Sequence, residues 1–283
     1  MSVRIITDSA SDIFQSEAQA MGIDVLPLKT IFGTEEYRDG IDLSHEEFYH
    51  KLIESDVLPT TSQIPPFDYE EAFRAAVERG EEVVCITLSS KLSGCYQSAT
   101  IAADEFLGHV VVVDSLNVAI GERCLIDLAV KARDAGKNAA EIATLLNEEK
   151  HNIRLVALLD TLEYLKKGGR VSSAAALAGT LLNIKPVITV EDGVVTILGK
   201  ARGSKNGGNM LMTQVEKAGG IDFSKPYWLA YTGLSDALLN KYIEDSAALY
   251  KNKTDYLPVH TIGSTIGTHA GPGAIAVAFF GNN

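Results

Sequence analysis

The stretch LSSKLSGCYQSAT, residues 88–100, sets four serines and a glycine where an apolar strand turns into a helix. Ser93, beside Gly94, has three chemistries open to it. It can cap the helix that begins near Gly94, the commonest use of such a serine. It can form one side of an anion cradle, because free amides at a helix start point at whatever Ser93 holds, and Gly94 lets that group approach the main chain. It can also be a nucleophile. For that role the hydrolase elbow reads G-x-S-x-G, and the local K-L-S-G-C lacks the first glycine. A triad further needs a histidine with an orienting acid. His269, in the glycine-rich GTHAGPG, is the best histidine, and no acid is evidently placed for it. A serine esterase or thioesterase using Ser93 and His269 stands as the alternative function.

The remaining polar residues are read the same way. His45, His50, His109, His151 and His260 are scattered without ligand spacing, as surface or core residues. Asp8, Asp12 and Asp114 suit helix or turn caps before metal ligands, and no metal is expected. KKGGR (166–170) and GKARGSK (199–205) concentrate basic residues, each with an arginine beside a glycine. Such runs are usually solvated loops, but Arg170 and Arg202 also suit a phosphate-contacting surface. Neither GxGxxG nor GxxxxGK[ST] occurs, so a nucleotide cofactor lacks its fingerprint. The TDSASD (7–12) and SSKLSG (89–94) loops leave a phosphate- or nucleotide-binding regulator as a second rival.

The elements that position these residues follow from the apolar pattern. VRIIT (3–7), EVVCITL (82–88) and VVVVD (110–114) read as buried strands, with helices over about 68–79 and 94–106 between them. DVLPLKT (24–30) is extended, and IFGTEEYRDG (31–40) forms a hairpin or an irregular arm. Ser44 with Glu47, and Asn138 with Glu141, mark helix starts. This βαβα succession predicts a parallel sheet with helices on both faces. Ligands of such sheets sit at the carboxyl ends of the strands. TDSASD, SSKLSG and the Asp114-Ser115 turn lie there, and TTSQ (60–63), in the proline-punctuated loop LPTTSQIPPF (58–67), can join them.

From about residue 153 the pattern changes. RLVALLD (154–160) is a strand, TLEYLKKGG (161–169) a short helix, and SSAAALAGTLL (172–182) a small-residue helix. Asp192-Gly193 between alternating runs signals a hairpin. WLAYTG, a helix over 236–250, YLPVHTIG and a last strand at 274–280 complete the chain. The expected fold is α/β with two domains: an N-terminal parallel-sheet α/β domain over 1–150 and a C-terminal α/β domain with a mixed sheet over 151–283.

With 283 residues, 46% of them hydrophobic, the chain can bury a substantial core. A net charge of −12 argues against a broad nucleic-acid footprint and against loose adhesion to anionic lipid. Cys85, Cys95 and Cys124, an odd set without a CxxC pair, read as reduced thiols of a cytoplasmic protein. MSVRIITDSA has no signal-peptide apolar region, and no apolar run approaches a membrane span.

Seven strings in order then resemble one family: IITDSASD (5–12), PTTSQ (59–63), LSSKLSGCYQSA (88–99), VVDS (112–115), YLKKGGRVS (164–172), KPVITVEDG (185–193) and GTHAGPGAIAV (267–277). Together, over nearly the whole chain, they are similar to the DegV family, the fatty-acid-binding proteins that serve bacterial fatty acid kinase. The resemblance implies a two-domain α/β fold with a long-chain fatty acid buried between the domains. Hydroxyls at Thr61 and Ser93 would hold its carboxylate near the His269 loop, with Ser62 and the Gly94 amide in support. Arg170 and Arg202 match basic positions near the exposed head group and the kinase-facing surface. It implies a carrier subunit and not an enzyme, without a cofactor. Such a carrier takes the acid from a membrane by transient contact and presents it to a separate kinase subunit, which makes the acyl-phosphate from ATP. The family usually reads TSQP and SGTYQSA; here Ile64 stands for the proline and Cys95 for the threonine. Cys95 is either a small conservative replacement or a thiol activated by the helix terminus. SSAAALAGTLL suits a tunnel wall as well as close helix packing.

Overall fold

The computed structural model describes residues 2–171 and 184–282. Its strands are β1 (Val3–Asp8), β2 (Ile23–Leu26), β3 (Lys29–Phe32), β4 (Glu35–Arg38), β5 (Thr60–Ser62), β6 (Glu82–Thr87), β7 (Val110–Asp114), β8 (Ile153–Leu158), β9 (Ile184–Glu191), β10 (Val194–Arg202), β11 (Tyr227–Tyr231), β12 (Val259–Thr261) and β13 (Ile275–Phe280). The helices described are α1 (Gln15–Met21), α2 (His45–Glu54), α3 (Pro66–Glu78), α4 (Cys95–Ala103), α5 (Ile120–Asp134), α6 (Ala139–Glu149), α7 (Glu163–Lys167), α8 (Gly203–Lys217), α9 (Ala237–Asp245) and α10 (Ser264–Ala270).

The continuous apolar runs of β1, β6 and β7 need cover on both faces, and they pair in a parallel sheet of order β2-β1-β6-β7. The second half forms the expected mixed sheet, order β10-β9-β8-β13-β11-β12, in which only β11 and β12 run parallel. Asp192 (φ 48°) and Gly193 (φ 81°) make the tight turn between β9 and β10, both left-handed as a two-residue hairpin turn requires. The capping boxes at Ser44/Glu47 and Asn138/Glu141 form as read.

Two readings change. LPTTSQIPPF is not all loop: Thr60–Ser62 is the third strand of a small antiparallel sheet, order β4-β3-β5, with Thr30 opposite Thr61. Helix α3 begins at Pro66 rather than near 68, because proline lacks only a donor that the first helical turn would leave unused.

Helix α5 joins the two large sheets. It packs against β1 and also against β8, β11 and β13. Ile5, Ile86, Ile120, Leu125, Leu155 and Phe280 accordingly share one buried cluster. A second cluster lies under α3 and α4, and a third under α8 and α9 on the far face of the mixed sheet. Among the described residues no helix is long and apolar enough to cross a membrane.

Candidate functional site

The three loops expected at the carboxyl ends of the parallel strands do converge. Asp8 accepts hydrogen bonds from the Ala10 amide (3.1 Å) and from the Leu88 amide (2.9 Å). Asp114 accepts from Ser90 N (3.1 Å) and Leu116 N (3.0 Å). Asp12 accepts from Gly263 N at 2.7 Å. All three carboxylates are caps or turn anchors, and no group of three or more His, Cys, Asp or Glu among the described residues is arranged to hold a metal. Ser89 donates to Gly193 O at 2.7 Å, fastening the serine loop to the β9–β10 turn.

Between this loop cluster and the mixed sheet lies a cavity of about 360 Å³, within the ~300–1,000 Å³ usual for ligand sites. The strand register explains the space. Ala157 of β8 pairs with Ala276 of β13, which pairs with Ala230 of β11. Three alanines thus run side by side across the central strands, and all three line the cavity. Successive side chains of a strand alternate between faces. Leu155, Ile188 and Val190 complete the same apolar wall, while Val156, Leu158, Val187 and Leu229 pack beneath α8 and α9.

The rim is polar and gathers most of the residues singled out from sequence. Thr61, Ser62, Ser93, Gly94, Arg170 and His269 all line the cavity. Thr61 Oγ1 and His269 Nε2 are 3.0 Å apart. Arg170 donates from Nε to Leu92 O (3.1 Å) and from a terminal nitrogen to Gly168 O (2.6 Å), which ties α7 to the serine loop. Arg202 is not brought to the cavity; it stands exposed at the end of β10, just before α8. Gln63, inside the quoted PTTSQ but not singled out, covers the rim. Its amide donates to Ser98 Oγ at 3.0 Å and lies so close to Gly94 that a methyl there would collide with it. Gly94 is not left-handed; a side chain there would instead have to displace the Gln63 amide from Ser98.

Ser93 behaves as an anchor of the α4 start. Its hydroxyl accepts from Cys95 N at 3.4 Å and donates to Cys95 Sγ at 3.3 Å. Among the described residues the esterase geometry is missing: His269 shares its hydrogen bond with Thr61, and its buried Nδ1 finds no partner there. Of the two readings of Cys95, the structure agrees with the small buried replacement and not with the activated thiol. The thiol is fully buried, and burial followed by the nearby Asp8 pushes it up to about 12. SSAAALAGTLL, read as a tunnel wall, lies outside the described residues.

Burial, followed by the neighbouring Arg170 charge, lowers the His269 imidazole to about 4 from its ordinary 6.5. It is neutral at pH 7. We assign its proton to Nε2, because a buried N–H without an acceptor is less tolerable than an unused lone pair. Nε2 then donates to Thr61 Oγ1 and leaves the threonine proton directed elsewhere. Ligand-free protein should show a His269 NMR titration midpoint near pH 4. Since the unfolded chain protonates this group first, its contribution to stability is complete above about pH 6.5 and is lost as pH falls toward 4. Urea unfolding of the wild type and His269→Asn over that window should give slopes that differ accordingly.

Fold and site define a class: a two-domain α/β protein with an apolar chamber between its sheets and a rim of hydroxyls, one neutral imidazole and one guanidinium. A model of the DegV family, whose description is of uncharacterised proteins, matches residues 2–282, and the chain belongs to this family. It is 34% identical over 280 residues to a DegV domain-containing protein of Caldanaerobacter subterraneus, covering 98% of each chain. It is 34% identical over 286 residues to one of Deinococcus radiodurans, with the same coverage. A DegV family protein from Thermus thermophilus, described by its fatty acid binding, superposes with a TM-score of 0.89 at 30% identity over 99% of this chain and all of that one. DegV of Bacillus subtilis, described as a fatty acid binding protein, does so with a TM-score of 0.82 at 28% identity over 98% of each.

Proposed function

We propose that this protein binds one long-chain fatty acid, its alkyl chain in the cavity and its carboxylate at the Thr61–Ser93–His269 rim. The carrying observation is the join of an apolar chamber, made by three small residues in register, to a rim rich in hydroxyl groups. The fatty acids bound by the solved relatives support it. Burying roughly fifteen methylenes at ~0.8 kcal/mol each amounts to about 12 kcal/mol before the costs of association. Two or three hydrogen bonds to the carboxylate add ~1.5–3 kcal/mol apiece. The chamber therefore supplies most of the affinity, and the rim sets which end faces out. Thr61 donates its free proton to the carboxylate, and the Arg170 charge favours the ionised form.

On this reading the protein is a carrier that collects its acid from a membrane by transient contact and offers the carboxylate to a separate ATP-dependent kinase in the cytoplasm. Ser62 and the Gly94 amide support the head group, and exposed Arg202 faces the kinase. The domains divide near residue 150, which leaves the chamber between them.

Native mass spectrometry of purified protein tests the first step: one fatty acid per chain is expected. A protein that carries none and does not take up palmitate or oleate ends the proposal. Thr61→Val and Ser93→Ala should each weaken palmitate binding about tenfold, the loss of one hydrogen bond of ~1.5 kcal/mol to a charged group. Isothermal titration measures this, and Arg202→Ala should leave the same affinity intact while lowering acyl-phosphate formation by the kinase.

A further inference from the structure

Helix α10 carries His269 in its last turn, and its first turn is held far more firmly than a helix this short requires. Asp39, 2% exposed and just beyond β4, accepts three hydrogen bonds there. They come from Ser264 N (2.9 Å), Ser264 Oγ (2.7 Å) and Thr265 N (3.3 Å). Ser264 is fully buried, and its Oγ also lies 2.8 Å from Thr30 Oγ1, likewise fully buried. Ser264 has one hydroxyl proton and directs it to the carboxylate, so Thr30 donates to Ser264. Thr30 in turn stands opposite Thr61 in the β3–β5 ladder. The path closes on itself: Asp39 to Ser264, Ser264 to Thr30, across the ladder to Thr61, from Thr61 to His269, and back along α10.

The start of α10 is closely packed by its other neighbours as well. A methyl on Gly263 would lie 2.8 Å from His45 Nε2 and 3.1 Å from both Asp12 Oδ1 and Asp39 Oδ1. One on Gly267 would lie 2.5 Å from the Phe48 ring of α2. Tyr49 donates to Ile262 O at 3.0 Å, just before the helix. Asp12, accepting from Gly263 N at 2.7 Å, and Asp39 thus both hold the start of α10, and only the Asp39 contacts run on through Ser264 and Thr30 to the strand of Thr61.

We infer that Asp39 is a positioning residue for the head-group rim, fixing through Ser264 and Thr30 the register in which α10 presents His269 to Thr61. The inference rests on the proposed carboxylate site but is tested separately from it. Palmitate labelled with 13C at the carboxyl carbon, and the His269 ring resonances, are followed in the wild type, Asp39→Ala, Asp39→Asn and Ser264→Ala. In the wild type the bound carboxyl carbon should give one sharp resonance. Asp39→Ala should broaden or split it, weaken palmitate binding about tenfold, and raise the His269 midpoint as the rim loosens. Asp39→Asn, which keeps an acceptor oxygen for the Ser264 amide and hydroxyl, should restore the single resonance. If Asp39→Ala does not fold, Ser264→Ala decides, because it removes the hydroxyl link and leaves both backbone bonds to Asp39 in place. Folded variants with the wild-type resonance, affinity and His269 midpoint overturn the inference. A wild type that binds no palmitate sinks the fatty-acid reading alone, and the His269 midpoints of the variants still judge Asp39.

Discussion

Ala276→Phe is expected to lower palmitate affinity about a thousandfold while leaving the protein folded. Ala276 is the middle of the three-alanine row, flanked by Ala157 and Ala230, and it is partly open to the cavity. A benzyl group there fills space that would hold ~5 methylenes; at ~0.8 kcal/mol each, about 4 kcal/mol of burial is forfeited. Every ~1.4 kcal/mol is tenfold in binding. Because the added ring enters a void and not packed core, the melting temperature of ligand-free protein should change little. Displacement of a fluorescent fatty acid measures the loss. An unaltered affinity would show that the alkyl chain lies somewhere other than against this wall.

Arg123→Ala is expected to cost about 3 kcal/mol of stability, the low end for breaking a buried ion pair. The low end applies because the Arg123 side chain is 3% exposed but that of Glu17 is 31% exposed. Arg123 leaves α5 to bond Glu17 at 2.7 Å, and its guanidinium sits 3.6 Å from the centre of the Trp228 ring on β11. Glu17 also bonds His260 Nε2 at 2.8 Å. One side chain thus ties together α1, α5 and the mixed sheet. Burial alone would raise the Glu17 carboxyl, but the hydrogen bonds of His260 and Arg123 outweigh it and bring it from 4.5 to about 2. The wild type keeps that advantage above about pH 4.5 and loses it as pH falls toward 2, so the gap between wild type and variant should narrow across that window. Urea unfolding gives the difference, and Trp228, the single tryptophan, reports it by fluorescence.

Most of the fold was legible because apolar runs and caps are local signals. The β1, β6 and β7 strands, the Asp192-Gly193 hairpin and the capping boxes at Ser44 and Asn138 needed only neighbours a few residues apart. The strand at Thr60–Ser62 escaped because prolines at 59, 65 and 66 surround it, and its pairing with β3 is a long-range event. Of the candidate site, the hydroxyls and His269 were found through quoted strings, and the structure gathers them without the acid a triad needs. The described wall of the chamber includes one alanine from each of β8, β13 and β11, Ala157, Ala276 and Ala230, which are far apart in sequence and align only once the register is known. Asp39 gave no signal either, since its partners, Ser264 and Thr265, lie more than two hundred residues away.

The placement of α5 has a consequence for how this chain can be cut or recombined. Its two flanks are greasy, one turned to the first half and the other to the second. A fragment ending after α6 would carry a bare aliphatic stripe into water, and the complementary fragment would do the same. Exposed stripes of that kind clump. Chimeras that trade one lobe for a relative's should therefore fail unless the seam along this helix is traded with it, whereas changes at outer loops should be tolerated.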